Sequence, residues 1–575
     1  IKNIAMAKKK QIVECVPNFS EGRDMNVIKQ ITSEIEKTSG VKLLDVDPGE
    51  ATNRTVVTFV GEPEAVVDAA FRAVAKAGEL IDMRKHHGAH PRIGATDVLP
   101  IVPVSGITLE ECAELAQKLA ERIASELQIP TYCYEAAART PKRRNLAVVR
   151  RGEYEGIAER IMDENEKPDF GARPYDEKVA RTGCTVVGAR DFLIAVNFNL
   201  NSTSTRRANA IAFDVREKGR PVREGNPITG KKKLDENGKV VMQPGTLKGT
   251  KAIGWFIDEY GIAQVSMNIT NINETPLHKA FDEVCRCAQN RGLRVTGTEI
   301  VGLIPECALL DAGKYFLAKQ QRSAGIPKED ILKIAIKSMG LEDLRPFNPE
   351  EKVIEYLLAA GEKGGNKLVD LTVKGFAEET SRESPAPGGG SVSAYMGALG
   401  ASLATMVANL SSHKPGWDER WSEFAQWAER GMELQEELLH LVDEDTEAFN
   451  RIMAAFGMPK NTDEEKQLRT DAIQAATLFA TEVPLETMKT SYEVFEVCRQ
   501  MVTTGNPNSV SDAGVGALAA RAAVIGAGMN VKINAASLKD REKAEALIAE
   551  ADALVEKANA EEKEITQTVE EMIRQ

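Results

Sequence analysis

Apolar residues recur along the first third of the chain with two alternating periods, one of a strand and one of a helix. Gln11–Pro17 (QIVECVP) suits a strand, and Met25–Lys37 repeats at helical spacing with Asp24 placed as its cap. VKLLDVD and TNRTVVTFVG read as two strands parted at Pro48 and Gly49, PEAVVDAAFRAVAKAGELI as a helix, and LPIVPV as a strand. The order strand, helix, strand, strand, helix, strand then recurs between residues 184 and 310, through CTVVGARDFLIAVNFNL, RRANAIAFDVRE, IGWFID, IAQVSMNIT, LHKAFDEVCRCAQNRG and TGTEIVGLIP. This predicts an α/β region of two ferredoxin-like subdomains with βαββαβ order. After AAGEKGGNK, a linker by its glycines and charges, the pattern turns helical, with amphipathic stretches at Trp421–Phe456, Glu465–Thr503 and Leu538–Arg574. An all-α helical-bundle domain is expected there. The expected boundaries are residues 6–184 and 185–357 for the two α/β subdomains, 358–366 for the linker and 367–575 for the bundle. The last helix carries Ala546, Leu547, Leu554, Val555, Ile565, Val569 and Ile573 as a stripe to be packed within the chain or against another subunit.

At 575 residues with 42% hydrophobic and 28% charged content, the chain is expected to be soluble, globular and multidomain. A net charge of −13 argues against nucleic acid as a partner. Apolar stretches such as Ala519–Gly528 fall short of the roughly 20 residues a membrane span needs, so no membrane association is expected. Eight cysteines without CxxC pairs read as reduced thiols, and Met6–Lys10 (MAKKK) as a cytosolic start, which together predict a cytoplasmic protein. Residues 216–248 interrupt the second subdomain with a basic, Gly/Pro-rich insertion, expected as a surface loop or hairpin. Within it GNPITGKK (Gly225–Lys232) approaches a Walker A loop, but Lys232 stands where a magnesium-binding Ser or Thr is required.

Three of the six histidines, His86, His87 and His90, cluster in RKHHGAHPRIGATDV on a connecting loop. Their spacing specifies no metal geometry, whereas one imidazole suffices for general acid–base work near neutral pH. Surface loop histidines are the plain alternative. DVDPGEATNRT offers Asp45 and Asp47 on one strand face, with Arg54 nearby; Arg54 or Arg92 could clamp a carboxylate. In the helical region SPAPGGGSVSA places Gly388, Gly389 and Gly390 at a helix start that could receive an anion or permit close packing. LLHLVDEDTEAFNRIM aligns Leu438, Leu441, Val442, Asp445 and Phe449, so Asp445 interrupts an apolar stripe, as a desolvated proton donor or as half of a buried ion pair. TTGNPNSVSDAG brings Asn508, Ser511 and Asp512 before a small-residue helix, where the last two suit capping and the group could also bind a heterocycle.

VECVPNFSEGRD, LLDVDPGEATNRTVVTFVGEP, HHGAHPRIGATDVLPIVPV, PDFG with TVVGARDFLIAVNFNL, and IGWFIDEYGIAQVSMN, followed by SPAPGGGSVSA, LVDEDTEAF, MPKNTDEEK and NPNSVSD, occur in the order of a known family. The chain resembles the formimidoyltransferase-cyclodeaminases, fused folate enzymes of histidine catabolism. The resemblance implies transfer of a formimino group from formiminoglutamate to tetrahydrofolate, then cyclodeamination to methenyltetrahydrofolate. It places the transferase histidine at His90, the folate loop at about Gly171–Gly183 and the deaminase proton donor at Asp445. Asp47 is the carboxylate expected beside the amidinium-like centre, and the glycine loop with Asn508, Ser511 and Asp512 the deaminase pocket. It further implies a homo-oligomer acting on tetrahydrofolate polyglutamates, which the insertion's lysines could attract, without metal or nucleotide. The rivals are a formyl-transferring first domain, a methenyltetrahydrofolate cyclohydrolase second domain, and an inactive folate-binding scaffold.

Overall fold

The computed structural model describes residues 11–50, 53–88, 91–172, 174–226, 229–359, 367–383 and 386–574. It divides into two compact units, one of Ile1–Asp311 with Met339–Glu362, the other of Ala312–Ser338 with Lys363–Gln575.

In the first unit β1 (Ile12–Cys15) and β2 (Asn18–Phe19) form one strand broken near Pro17, followed by α1 (Met25–Glu36), whose N-terminus Asp24 caps by accepting from the Asn26 and Val27 N–H groups. Then come β3 (Val41–Gly49), β4 (Arg54–Gly61), α2 (Pro63–Leu80) and β5 (Thr96–Ser105). The strands lie in the order β3-β4-β1/β2-β5, with every neighbour antiparallel, as the repeated pattern predicts. The sheet continues beyond that expectation. After α3 (Leu109–Glu126), β6 (Thr131–Glu135) and β7 (Thr185–Ala189) add two parallel strands on the β5 side. One sheet face buries Val13, Cys15, Phe59, Leu99 and Ile101 against the helices, and strand alternation turns Glu14 to the other face.

The second subdomain runs β8 (Ile194–Leu200), α4 (Thr205–Val215), β9 (Thr250–Ile257), β10 (Ile262–Ile269), α5 (Leu277–Gln289) and β11 (Val295–Val301), in an antiparallel sheet ordered β9-β10-β8-β11. The insertion is a surface hairpin: Arg220–Pro221 pairs with Met242–Gln243, and bridges join Arg223 to Lys232 and Leu234 to Val240. Lys232 is thus a strand-pairing residue in a hairpin, with no helix behind it; Pro227 and Ile228 lie outside the described residues.

The helical unit holds most of α6 (Glu306–Lys319), most of α7 (Lys328–Met339), and then α8 (Gly389–Ser412), α9 (Trp421–Phe456), α10 (Asp463–Thr504), α11 (Val510–Ala535) and α12 (Arg541–Ile573). By their contacts residues 312–338 group with this unit: Asn409 Nδ2 donates to the Gly325 carbonyl at 2.6 Å, and Gly325 sits so close to Ala428 that a Cβ would fall 2.3 Å from its carbonyl carbon. Most of the linker expected at 358–366 lies outside the described residues. Small residues let the long helices approach: Gly400 and Gly516 sit where an added Cβ would meet the opposing backbone. This produces apolar windows longer than expected. Gly389–Ser412 and Pro507–Ala535 are long and apolar enough by length and composition to cross a membrane, and 61% and 50% of their windows are buried inside the bundle. α12 packs within the chain through Ala544, Ala551, Ala558, Ile565 and Val569, while Ala546 and Ile573 are exposed.

Gly254 on β9 lies against α4, where an added Cβ would sit 2.1 Å from the Asn209 nitrogen. Gly254→Ala is therefore expected to cost about 1–3 kcal/mol through overpacking, read as a lower melting transition by circular dichroism.

Candidate functional site

The loop after α2 is pinned by one asparagine and one arginine. Asn53, buried with φ of 49°, accepts the Gly22 N–H on its Oδ1 at 3.1 Å and donates from Nδ2 to the His87 carbonyl at 3.0 Å, tying three loops together. Arg92 Nε donates to His86 Nδ1 at 3.2 Å, and since a guanidinium only donates, the proton of the neutral ring must be on Nε2, which meets the Asn53 carbonyl at 2.8 Å. Burial depresses the pKa of His86, and the neighbouring Arg92 charge adds to the effect. His86 is thus a buried structural histidine rather than a base. His87 is exposed, and His90 lies outside the described residues.

Arg92 does not stand as the substrate clamp its sequence position suggested. Its guanidinium is buried, bidentate to Glu155 at 2.8 and 2.9 Å, and reaches Glu153 at 3.2 Å, so its donors already have acceptors. With His87, Gly88 and Gly152 these three charged residues line a cavity of about 430 Å3. Glu153 is held at φ 53° and ψ −155°, a conformation costly for a residue with a Cβ, beside that cavity. Nothing in the chain's periodicity marks Glu153 and Glu155; the charge of RRGEYEG was the available signal.

Deeper in, Asp97 is wholly buried, accepting the Ile93 N–H at 3.1 Å and the Arg150 Nε at 3.2 Å. Burial raises its pKa, with Arg150 opposing most strongly and Arg54 also contributing. Arg54 is partly buried at the start of β4; burial lowers its pKa, while Asp97 and Asp47 favour its charge. Asp47 itself is exposed on β3, the sheet's edge strand, and Asp45 is half-buried with its carboxyl raised by burial and by Asp47. Glu14, on the sheet face opposite the helices, is buried and its carboxyl is raised to about 7 by that burial, against the pull of Arg190.

Gly171 and Gly183 both take positive φ, 67° and 66°. Gly183 is buried, bridged to Gly94, so near that a Cβ would fall 2.2 Å from the Ile93 carbonyl oxygen. It fastens the end of the predicted folate loop to the histidine loop and presents no surface to a ligand. Gly171 is exposed, over Ala124.

In the helical unit Asp445 caps a helix from across the bundle. Its Oδ2 accepts both the Ser391 N–H at 2.8 Å and the Ser391 hydroxyl at 3.0 Å, at the first turn of α8, whose own N-cap Gly388 supplies no side chain. Gly390 makes room, since a Cβ there would lie 2.1 Å from Asp445 Oδ1. Burial raises the Asp445 pKa, and the two Ser391 donors oppose it. Of its neighbours on α9, Leu438, Leu441 and Val442 are buried as their spacing predicts, whereas Asp443 accepts the Leu368 N–H. Asn530 on α11 lies beside Gly389.

The other half of the expected pocket is elsewhere. Ser511 and Asp512 lie inside the first turn of α11 and do not cap it; its N-cap is Ser509, without a side-chain bond, and Asn506 caps the preceding 3-10 turn by accepting the Asn508 N–H. Asn506 donates its own N–H to Ser411, at the C-terminal end of α8, so this group is separated from Gly388, Gly389 and Gly390 by the length of that helix. Among the described residues no group of three or more His, Cys, Asp or Glu side chains is disposed to hold a metal ion.

A model of the formiminotransferase domain's N-terminal subdomain matches residues 12–190, one of the formiminotransferase domain residues 195–359, and one of formiminotransferase-cyclodeaminase residues 372–553. A formimidoyltransferase-cyclodeaminase of Mus musculus is 41% identical over 92% of this chain and 93% of its own. A glutamate formimidoyltransferase of Streptococcus pyogenes serotype M1 is 41% identical over 53% of this chain and 93% of its own. A methenyltetrahydrofolate cyclohydrolase of Methylorubrum extorquens is 38% identical over 36% of this chain and 97% of its own.

Arg150→Ala strands the buried Asp97 carboxylate and is expected to cost about 3–5 kcal/mol at neutral pH. An aspartate whose folded pKa is raised loses stability as pH rises from its unfolded value through its folded one, and removing Arg150 raises the folded value further. The deficit should shrink on acidification, measured by denaturant unfolding at pH 7 and pH 5.

Proposed function

The chain belongs to the formimidoyltransferase-cyclodeaminase family, and we propose how its two halves divide the chemistry. It is a bifunctional folate enzyme that moves a formimino group from formiminoglutamate to tetrahydrofolate and then cyclodeaminates the product. The observation that carries this reading is the 41% identity over 92% of the chain, with family models matched in both halves. The cyclohydrolase relative matches 36% of this chain.

In the first half, N5 of tetrahydrofolate attacks the formimino carbon while His90 takes the N5 proton; the same imidazole then protonates the departing glutamate nitrogen. Asp47 balances the amidinium-like charge, and Arg54 holds a substrate carboxylate. Arg92, committed to Glu153 and Glu155, is fixed two residues along the chain from His90. In the second half N10 closes onto the formimino carbon and loses its proton, and Asp445 protonates the nitrogen that leaves as ammonia. The product is 5,10-methenyltetrahydrofolate. What supports Asp445 as the acid is its raised pKa together with the geometry: Ser391 donates to Oδ2 twice, which leaves Oδ1 as the oxygen from which a proton could be given. The exposed Lys231, Lys232, Lys233 and Lys239 of the insertion suit a polyglutamate tail on an otherwise acidic chain, and a cytoplasmic homo-oligomer completes the reading.

Mixed with formiminoglutamate and tetrahydrofolate, the protein should release glutamate and ammonia and build the methenyl chromophore; no product above background overturns the reading. His90→Ala should abolish glutamate release and leave deamination of supplied formiminotetrahydrofolate intact, and Asp445→Asn should do the reverse. Gly390→Ala, which drives a Cβ into the carboxylate, should reduce deamination by about tenfold or more, with glutamate release unchanged. As the acid form is the active one, the wild-type deaminase rate should fall as pH rises through the raised pKa of Asp445.

A further inference from the structure

Asp445 is not alone over the start of α8. α11 passes the same turn, so close that a Cβ on Gly526 would lie 2.4 Å from Ser393 Oγ, and four residues further on Asn530 reaches Gly389. A Cβ on Gly389 would lie 3.3 Å from Asn530 Nδ2 and 3.6 Å from its Oδ1, while one on Gly390 would lie 2.1 Å from Asp445 Oδ1. Two polar side chains from two different helices thus stand over consecutive glycines, and Gly389 is exposed.

Two asparagines share this face of α11, four residues apart. Asn534 is committed to the fold: its Nδ2 donates at 2.6 Å to the Ala480 carbonyl of α10, which Pro484, lacking an N–H, cannot serve. Asn530 is committed at one end only. Its Nδ2 donates to the Gly526 carbonyl at 3.0 Å, and since a carbonyl only accepts, that bond fixes which end of the amide is which. Oδ1 is left facing outward as an acceptor on a half-buried side chain.

An acceptor set beside an acid distinguishes nitrogen from oxygen. A formimino and a formyl group on N5 have nearly the same shape, but the formimino nitrogen carries N–H groups and the formyl oxygen carries only lone pairs. Asn530 Oδ1 attracts the first and repels the second.

We propose that Asn530 is the residue by which the deaminase site selects a formimino over a formyl group, its Oδ1 accepting an N–H of the nitrogen that leaves. This rests on the deaminase reading above. N10 attacks the formimino carbon, the electrons of the C=N bond move onto its nitrogen, and N10 loses its proton to water. The nitrogen is then an amino group with two N–H bonds and a lone pair. Asn530 holds one N–H, which turns the lone pair toward Asp445. Asp445 gives its proton there, the C–N bond breaks as N5 donates its own lone pair to the carbon, and ammonia leaves the methenyl cation behind.

The test gives the full-length protein formiminotetrahydrofolate with 5-formyltetrahydrofolate as competitor, and follows the methenyl chromophore. In the wild type the inhibition constant of the formyl compound should exceed the KM of the formimino compound about tenfold or more. Asn530→Ala should lower kcat about 10- to 100-fold and bring that ratio close to one. A packing defect weakens both ligands alike and leaves the ratio where it was. Asn530→Asp, which keeps an acceptor at the same place, should retain the wild-type ratio. A wild type that deaminates yet binds both compounds equally overturns the proposal without recourse to any variant and leaves the deaminase reading standing, as does an Asn530→Ala chain with the wild-type ratio. A wild type inert toward formiminotetrahydrofolate overturns both.

Discussion

A carboxylate inside a helical bundle must be given donors, and Asp445 finds them in a helix that begins beneath it. The arrangement is reciprocal. α8 starts at a glycine that offers no side-chain cap, and Asp445 supplies the acceptor its first turn lacks. The same contact demands Gly390, because any side chain there would occupy the place of Oδ1. Burial and capping pull the carboxyl pKa in opposite directions, and burial prevails. The net result is a carboxyl with a raised pKa, one oxygen of which is occupied by two donors.

The α/β half uses a different device to reach a comparable end. Its site is built on loops, which would wander without ties, and Asn53 supplies three of them through its side chain and carbonyl. His86, Arg92 and Glu155 then form a chain of fixed donors and acceptors from that carbonyl to the cavity rim. A single protonation of His86 would break the chain, since both of its nitrogens would become donors facing Arg92 and the Asn53 carbonyl. Burial works against that protonation.

Much of this was legible in the residues. Two strand and helix periods marked both ferredoxin-like units, and the interruption of an apolar stripe singled out Asp445 before any contact was known. What failed to show were relations between distant segments. Arg92 looked like a ligand clamp because Glu153 and Glu155 sit some sixty residues later, and no periodicity connects them. Ser511 and Asp512 looked like caps because they precede a helix by composition; the turn at Pro507–Ser509 moved the helix start upstream of both. Gly388, Gly389 and Gly390 were grouped with Asn508 as one pocket, whereas the length of α8 intervenes. Residue type marks what belongs to a site, and only the fold tells which end of a helix each part occupies.

Residues 312–338 group with the helical unit although they precede the last segment of the α/β unit in the chain. The compact units are therefore interleaved in sequence, although the formiminotransferase-domain match runs through these residues, over 195–359. A gene divided at the linker near residue 365 would part Gly325, and with it the carbonyl that engages Asn409, from the rest of its compact unit. The fusion point visible in sequence is thus not the border of a compact unit: Asn409 of a helical fragment begun there would meet solvent where the Gly325 carbonyl now stands.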